Sequence, residues 1–431
     1  MTAPPVKSAP QSQSVQTRQH PELVPQPKYK KSGIKRSLFW ALSIFAAINV
    51  GMAQLSAIEQ NKSAKAAGGD FWTNPVLIDL AIKEFNAQQP PAKVVLLGSS
   101  LVMFPFWAMD ASFEHKISDI AHYHKSAALE AALAKSGLAN MPVFSLASAG
   151  QMSSDTYLYV NEFLKGDRKP EVLVLGIAPR DFSDNNVKSP TATVSFQQIV
   201  GLPNFVAYSK IFMPRFEDKA EFVANHSCFF YGRRWRLQKE VDKGIERLSQ
   251  TIARLATFGT VKPVAKAPQF SPEQAQLMAA VNHATAGGAV NSNEATALLF
   301  AASLEQRWNS SAKEYVGRYK GIADRDMTVQ LSCLDKTLKI CQERGIKVVI
   351  VNMPLTAINQ KLMPEGFYNR FSTAVQKTSA KYDKSVTYLD VSHNAAFQDG
   401  DYWDTVHMNH KGGAKLLSVI VPAIKDYMIK Q

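Results

Sequence analysis

Three side chains that together could carry out nucleophilic catalysis lie at two distant places in the sequence. Ser100 follows Gly98 and Ser99 directly after an apolar run, where a tight turn can hold a nucleophile at the edge of a sheet. Asp404 and His407 are three residues apart near the C-terminus, a spacing that brings a carboxylate beneath an imidazole in a turn. The carboxylate fixes the tautomer of the ring, and the other ring nitrogen can take a proton from a serine. We therefore predict a triad of Ser100 as nucleophile, His407 as base and Asp404 as orienting acid.

Each part of this pattern also has an ordinary structural explanation. A serine after a strand is commonly the N-cap of the next helix, and an isolated Asp-x-x-His is more often a surface turn or a metal ligand pair. A second Asp-x-x-His, Asp390 with His393, lacks the following Asn and Gly that accompany His407, so it ranks lower. The combination of a strand-end serine with a terminal acid–base pair favours catalysis over either explanation taken alone.

Short apolar runs separated by helical patterns have to position these residues. Five runs are rich in Val, Ile and Leu and are typical of strands buried on both faces: Val94–Leu97, Val143–Leu146, Val172–Leu175, Val348–Val351 and Val386–Leu389. The helices predicted between and after them are Ser126–Ser136, Asp155–Lys165, Thr328–Arg344, Phe367–Tyr382 and, approximately, Gly412–Met428. This alternation predicts an α/β fold, a flavodoxin-like three-layer sandwich with a parallel sheet. Sites in such folds lie at the carboxyl ends of the strands, where Ser100 stands.

The alternation of predicted strands and helices also divides the chain into segments. The α/β domain covers residues 91–182 and 325–431, and residues 183–324 interrupt it as a large, mainly helical insertion. Within the insertion, Ser271-Pro272-Glu273 has the composition of a helix start, with a capping hydroxyl, a proline in the first turn and an acid at the positive end of the dipole. Residues 59–90 form a linker and lead-in.

An apolar segment near the N-terminus predicts a membrane anchor. Residues 37–58 contain no charge and would span about 33 Å as a helix, enough for the hydrocarbon core of a bilayer. A disordered basic tail over residues 1–36 predicts a cytoplasmic N-terminus. We therefore expect a single-pass protein of the plasma (inner) membrane with a periplasmic or extracellular catalytic domain. A signal peptide cleaved within residues 63–69 and a buried core helix are the alternatives.

The net charge of +13 does not by itself indicate a nucleic-acid partner. Seven Lys and Arg against one Glu give residues 1–36 a charge of +6, so much of the excess lies beside the apolar segment. The soluble part has no basic stripe and no Gly-rich phosphate loop, so we expect no nucleic acid. The three cysteines lack a Cys-x-x-Cys pair, and His115, His122 and His124 have no partners at ligand spacing, so we predict neither a metal site nor a cofactor.

With these residues identified, the sequence resembles the SGNH (GDSL-like) hydrolase superfamily. Leu97-Gly98-Ser99-Ser100-Leu101 looks like the first family block, with Ser100 in the place of the nucleophile and Ser99 where many members have Asp. Asp404-Thr405-Val406-His407, followed by Asn and Gly, looks like the terminal block that supplies the acid and the base. The resemblance covers about residues 90–182 and 328–428.

The resemblance also suggests where the oxyanion is stabilised. Ala147-Ser148-Ala149-Gly150 is similar to the block whose glycine N–H joins the oxyanion hole, with Gly150 as the match. The third family block normally presents Gly-x-Asn-Asp, and its Asn donates to the oxyanion. Here the strand is followed by Gly176-Ile177-Ala178-Pro179-Arg180-Asp181, which has no Asn. Arg180 is our candidate for the missing donor, and an ion pair with Asp181 is its alternative role.

The family resemblance implies an extracytoplasmic serine esterase or O-acyltransferase, with water or a sugar hydroxyl as acceptor. Membrane-anchored SGNH-like proteins of alginate O-acetylation and teichoic-acid D-alanylation are similar in arrangement and work with a multi-pass membrane acyltransferase. By this analogy we expect association with the membrane, such a partner, and an acylated polysaccharide or other envelope substrate. The alternative is a catalytically inactive SGNH-fold protein of envelope assembly or binding, because the Asn of the third block is missing.

Overall fold

The computed structural model describes residues 31–63, 75–114, 120, 123–187, 189–232, 303–322 and 324–429. The chain divides into two compact units, residues 1–53 and 54–431. The second unit contains a parallel sheet surrounded by helices, so the predicted α/β class is confirmed.

Five parallel strands form the sheet. They are β1 Val94–Leu97, β2 Val143–Ser145, β3 Val172–Ile177, β4 Lys347–Asn352 and β5 Val386–Asp390. Their order across the sheet is β2-β1-β3-β4-β5. In this register Val94 of β1 lies opposite Val143 of β2 on one side and Val172 of β3 on the other. The direction of winding reverses between β1 and β3, and open α/β sheets bind ligands at such a point, outside the carboxyl ends of the strands.

The burial of the strands explains their apolar sequences. Every residue of β1, β2 and β3 is buried, which requires a continuous apolar run rather than an alternating one. β5 lies at the edge of the sheet and is only partly buried. All five predicted strands form, and their ends differ from the predicted ends by at most two residues.

Helices connect and cover the strands. Numbered in chain order over the described residues, they are α1 Lys31–Ser63, α2 Pro75–Ala87, α3 Ser100–Phe113, α4 Ala127–Lys135, α5 Ser153–Phe163, α6 Val194–Ile199, α7 Phe205–Phe212, α8 Phe216–Ser227, α9 Phe229–Gly232, α10 Leu304–Tyr319, α11 Asp324–Glu343, α12 Ala357–Lys361, α13 Phe367–Ser379 and α14 His410–Ile429. The five helices predicted from the sequence correspond to α4, α5, α11, α13 and α14, with ends shifted by up to four residues.

The helices form two packed groups. α3, α4 and α14 pack against one another, and α5, α11 and α13 form the other group. Right-handed crossovers put the connection from β1 to β2 on one face of the sheet and the connections from β2 onward on the other. The arrangement is compatible with a three-layer sandwich.

The segment between β3 and β4 departs from the alternation of strands and helices. The short helices α6, α7 and α8 carry aromatic residues that pack with α5 in a second apolar cluster. Its aromatic members are Tyr157, Phe196, Tyr208, Phe212 and Phe222. α10 follows later in the same segment, whereas Ser271-Pro272-Glu273 lies outside the described residues. The described part of the insertion is therefore attached to the α/β domain by its own small core.

The N-terminal helix α1 is longer than the predicted anchor. It begins six residues before and ends five residues after the apolar segment 37–58, so residues 31–36 and 59–63, assigned above to the tail and the linker, are helical. Inside it, the side-chain amide of Asn49 donates to the carbonyl oxygen of Phe45 at 2.8 Å. Over the residues that the structure describes, no helix has both the length and the apolar character needed to cross a bilayer.

Gly98 generates a prediction about stability. Its φ of +142° is one that L residues rarely adopt, and a Cβ there would lie 2.5 Å from the carbonyl oxygen of Gly176 and 2.6 Å from Cγ2 of Val102. Gly137 also has a positive φ (+95°), but its surroundings are open. We expect Gly137→Ala to lower the free energy of unfolding by about 1–2 kcal/mol, and Gly98→Ala to lower it by at least about 2 kcal/mol more. The free energies of unfolding are measured by chemical denaturation. If both variants lose the same amount, the prediction is contradicted, because the end of β1 must then relax to accept the Cβ.

Candidate active site

Ser100, His407 and Asp404 form a continuous hydrogen-bonded chain. The Oγ atom of Ser100 lies 2.9 Å from Nε2 of His407, across 307 positions of sequence. Nδ1 of the same ring lies 2.7 Å from Oδ2 of Asp404. With Nδ1 protonated and donating to the carboxylate, Nε2 can accept the proton of the serine. The structure thus brings together all three residues of the predicted triad.

Asp404 is held in its ionised form by its surroundings. Its Oδ1 accepts hydrogen bonds from the backbone N–H groups of Val406 at 2.8 Å and of His407 at 2.9 Å. Burial acts to raise the pKa of Asp404, but the neighbouring His407 ring and these hydrogen bonds outweigh burial, so the pKa lies below its ordinary value. The carboxylate is therefore available to stabilise an imidazolium.

The start of α3 presents the serine. Ser99 is the extended cap residue and Ser100 is the first residue of the helix. The N–H groups of Val102 and Met103 donate to the carbonyl of Ser99, whereas those of Ser100 and Leu101 precede the first intrahelical acceptor. The hydroxyl of Ser100 therefore lies beside backbone N–H groups at the positive end of a helix dipole, a position that favours negative charge.

The loop between β5 and α14 positions the acid and the base. The N–H of Trp403 donates to the carbonyl of His407 at 2.7 Å, and Tyr402 and Met408 form an antiparallel bridge. The loop therefore closes on itself around Asp404 and His407. The ring of His407 also packs on Phe104 of α3, with 4.4 Å between ring centroids.

α10 holds the same loop from outside. The hydroxyls of Ser311, in α10, and Thr405, in the loop, are 2.6 Å apart. Thr356, directly before α12, also donates to the carbonyl of Thr405 at 2.6 Å. Nε of Arg307 donates to the carbonyl of Trp403 at 3.2 Å, and the guanidinium lies over the Trp403 ring. A helix from the segment inserted between β3 and β4 thus supports the triad.

The two predicted oxyanion residues lie side by side. Gly150 has a φ of +79°, and a Cβ on it would lie 3.6 Å from Nη2 of Arg180. Both residues line the same cavity as Ser100. Arg180 is buried; its Nε donates to Asp184 at 3.2 Å and its Nη1 lies 3.5 Å from Asp181. Arg180 therefore pairs with Asp181, the alternative role considered from the sequence, while its guanidinium also lies beside Gly150.

A charged network surrounds Arg180. Asp184 also accepts from Nη1 of Arg318 at 2.5 Å, and Arg318 binds Glu314 at 2.6 Å. Burial acts to lower the pKa of Arg180, but Tyr315 and the neighbouring carboxylates outweigh burial and raise it above the ordinary value. The guanidinium therefore keeps its charge inside the protein.

Asp155, at the start of α5, is a buried carboxyl group beside this network. Its Oδ1 accepts from the hydroxyl of Thr193 at 2.5 Å, and its Oδ2 accepts from the N–H of Met152 at 2.9 Å. Burial raises the pKa of Asp155 to about 7 in spite of these hydrogen bonds and of Arg180. Burial also raises the pKa of Asp181, to about 6. Two carboxyl groups near Arg180 thus hold their protons to unusually high pH.

The triad opens into a cavity of about 650 Å³, a size typical of small-molecule sites. Its walls come from α2, α3, α5 and α6 as well as from α10 and the loop that carries His407. The cavity therefore extends well beyond the three reactive residues, and both the α/β part and the inserted segment contribute to it.

Of the other candidate residues from the sequence, His124 lines the same cavity, whereas the second Asp-x-x-His lies elsewhere. Asp390 of the second Asp-x-x-His accepts from the side-chain amide of Asn352 at 3.1 Å, and His393 packs against the ring of Tyr368. His115 and His122 lie outside the described residues. Among the residues that are described, no group of three or more His, Cys, Asp or Glu side chains is arranged to hold a metal ion.

Comparisons with models of known protein families and with curated proteins find no match to this chain.

Several residues that build the site were not found from the sequence. Arg307, Glu314 and Arg318 recur along one face of α10, so the helical period could have grouped them. The relevance of Arg307 depends on a contact with Trp403, 96 positions away, and that of Arg318 on a contact with Asp184, 134 positions away, which no local pattern indicates. The sequence likewise indicates only that Asp155 lies in a helix. It does not indicate the raised pKa, because the burial that causes it arises from tertiary packing.

Asp155 generates a prediction about pH. The folded chain keeps it protonated up to about pH 7, whereas in the unfolded chain it ionises near its ordinary pKa of about 3.9. Its contribution to stability is therefore fully present below about pH 4 and is lost as the pH rises through about 7. We expect the melting temperature of the wild type to fall more steeply between these pH values than that of Asp155→Asn. Asp167→Asn, at an exposed position, is the control and should follow the wild type; parallel curves for all three would contradict the prediction.

Proposed function

We propose that this chain is a serine esterase or O-acyltransferase that uses Ser100, His407 and Asp404 as a catalytic triad. The observation that carries the proposal is the hydrogen-bonded chain from the Ser100 hydroxyl through His407 to the carboxylate of Asp404. A serine bonded to an imidazole that is oriented by a carboxylate is an activated nucleophile. Its place at the carboxyl edge of a parallel sheet, inside a cavity, is where an α/β fold binds its substrate.

The reaction follows from this geometry. Nε2 of His407 takes the proton of Ser100 while Oγ forms a bond to the carbonyl carbon of an ester and the carbonyl electron pair moves onto oxygen. When that pair returns, the bond to the alcohol oxygen breaks and His407 protonates it. Water or a sugar hydroxyl then attacks the acyl group on Ser100 by the same steps. Water gives a free acid, and a sugar hydroxyl gives a new ester, while Asp404 stabilises the imidazolium in each half-reaction.

In this proposal three donors stabilise the negative charge that develops on the carbonyl oxygen. The backbone N–H groups of Ser100 and Gly150 are two of them, and the guanidinium of Arg180 is the third. In this proposal Arg180 takes the role that the Asn of the third SGNH block has in the family. Its carboxylate partners keep it oriented before substrate arrives, and preorganised charge of this kind is an effective source of transition-state stabilisation.

The proposed fold is a flavodoxin-like three-layer sandwich of the SGNH kind with residues 183–324 as an insertion. The strand order β2-β1-β3-β4-β5 is that of flavodoxin-like doubly wound sheets, which supports it. We also keep the proposal of an N-terminal anchor over residues 37–58. Its uncharged length and the basic residues before it support a single-pass protein of the inner membrane, with the catalytic domain outside the cytoplasm.

A domain held outside the cytoplasm at the membrane would act on an acylated envelope polymer. We propose a cell-surface polysaccharide as substrate, with a multi-pass membrane acyltransferase as partner where the direction is transfer. The support is the similarity in arrangement to SGNH-like proteins of alginate acetylation and teichoic-acid D-alanylation, which is an analogy of fold and anchor.

A second candidate is a non-catalytic protein of envelope assembly or binding that has the same fold. The observation in its favour is Arg180, which stands in place of the family Asn and is bound by two carboxylates. This candidate requires a Ser100→Ala variant that behaves as the wild type in the cell.

Labelling with a fluorophosphonate probe distinguishes the two candidates. We expect the wild-type chain to react covalently, and Ser100→Ala and His407→Ala to lose labelling, because the probe needs an activated serine hydroxyl. Labelling is measured by in-gel fluorescence beside a control hydrolase. Ser99→Ala is the matched control and should still be labelled through Ser100. An unlabelled wild type beside a reactive control hydrolase would leave the non-catalytic candidate as the better one.

Arg180→Gln tests the third oxyanion donor. We expect kcat for a simple ester to fall by about 100-fold or more with a much smaller change in KM, because the charge acts on the transition state. Arg168→Gln is the control: Arg168 is a structural arginine that donates to the carbonyls of Phe85 and Gln88. The Arg168→Gln variant should have a lower melting temperature than the wild type but no comparable loss of kcat. An unchanged kcat in folded Arg180→Gln would make Arg180 a structural ion-pair residue.

A further inference from the structure

The cavity around Ser100 has two chemically different halves. The apolar half is lined by side chains of α2, α3 and the segments on either side of β2: Leu77, Ile78, Met103, Trp107, Ile120 and Leu146. The polar half is lined by α10 and by the loop that carries His407, and it contains Arg307, Glu314 and Arg318.

The two halves lie on opposite sides of the nucleophile along the edge of the sheet. Ser100 follows β1, which lies between β2 and β3. The apolar half is on the β2 side, because Leu146 directly follows β2 and Phe85 of α2 packs on Phe144 of β2 at 5.3 Å between ring centroids. The polar half is on the side of β3 and β5, because α10 bonds to the segments that follow those strands.

One face of α3 leads from the nucleophile into the apolar half. Ser100, Met103, Phe104 and Trp107 recur at helical spacing, and all four are buried and line the cavity. The helix rises about 10 Å from Ser100 to Trp107. A continuous apolar wall thus extends for about two turns from the reactive hydroxyl.

Two polar groups in and beside the apolar half, those of Tyr123 and Asp155, are bonded within the protein. The hydroxyl of Tyr123 donates to Asp110 at 2.7 Å. Asp155 is bonded to Thr193 and to the N–H of Met152. Sugar hydroxyls placed here would give up hydrogen bonds with water and meet groups that already have partners, whereas hydrocarbon would gain by leaving water.

The chemistry of His407 determines which part of an ester enters each half. The leaving oxygen has to receive a proton from this ring, so the alcohol departs on the side of His407. On that side α10 contacts the loop at Trp403, and the wall carries Arg307 and Glu314. The acyl group then extends in the other direction, along α3.

We infer that the apolar half binds the hydrocarbon chain of the acyl group, and that the substrate carries a medium-length aliphatic acyl chain on a polar alcohol. This inference rests on the esterase or acyltransferase proposed above and names the acyl class for it. As Ser100 Oγ bonds to the acyl carbon and the bond to the alcohol oxygen breaks, the chain stays beside Met103 and Trp107 until water or a second alcohol attacks. An acetyl group would leave this half of the cavity largely unfilled.

The test is the dependence of rate on chain length, measured with p-nitrophenyl esters from acetate to octanoate and the full chain in phospholipid nanodiscs. We expect kcat/KM to rise about fourfold for each added methylene, as burial of one CH2 predicts, and the activity to be absent in Ser100→Ala. Ala81→Trp places a bulky ring in the apolar wall and should lower the octanoate-to-acetate ratio of kcat/KM at least tenfold. Ala87→Trp, on the exposed end of the same helix, is the control and should keep the wild-type ratio.

The outcomes separate this inference from the proposed function. Ser100-dependent hydrolysis of acetate with a flat or falling response to chain length would overturn the acyl-chain inference and leave the esterase in place. If no ester is hydrolysed, binding decides the inference, and the proposed function fails if the fluorophosphonate probe also leaves Ser100 unlabelled. In Ser100→Ala, omega-brominated octanoate should quench tryptophan fluorescence, and both Trp107→Phe and Ala81→Trp should remove that quenching. Absence of quenching in Ser100→Ala would overturn the inference.

Discussion

The position of Ser100 depends on how closely α3 approaches the sheet. The side chain of Val102 packs against two glycines at the ends of β1 and β3: a Cβ on Gly98 would lie 2.6 Å from Cγ2 of Val102, and one on Gly176 would lie 2.2 Å from it. A side chain at either position would push the helix away from the sheet. Because both are glycines, the first turn of α3 lies directly over the point where the winding of the sheet reverses, and Ser100 is carried by rigid elements rather than by a loop.

His407 reaches this fixed serine from a loop, so its position needs separate support. The loop closes on itself, rests on Phe104 of α3, and is bonded from outside by α10 through Thr405 and Trp403. α10 belongs to the segment between β3 and β4, and that segment also contributes the arginines of the polar half of the cavity. The insertion therefore does two things at once: it holds His407 in reach of Ser100, and it forms one wall of the cavity.

The sheet and the triad could be predicted from the sequence because buried parallel strands are continuous apolar runs and the reactive side chains follow them directly. The exact ends of the strands could not be predicted, because they depend on pairing between strands. β3 continues to Ile177 because that residue pairs with Asn352 of β4. The support from α10 could not be predicted either, because Ser311 meets its partner 94 positions away and leaves no local pattern. The proton affinity of Asp155 likewise depends on burial by chain that is distant in sequence.

The two walls of the cavity are encoded in separate stretches of the chain, and this has a consequence for how the protein can diverge. The apolar wall comes from α2, α3 and the segments on either side of β2, all outside the insertion, whereas much of the polar wall comes from α10, within an insertion that the sheet does not need for its strand pairing. Selection can therefore alter the polar wall while the apolar wall stays unchanged. The contacts of Ser311 and Arg307 with the loop of His407 limit such exchange, because every replacement of the insertion has to supply them again.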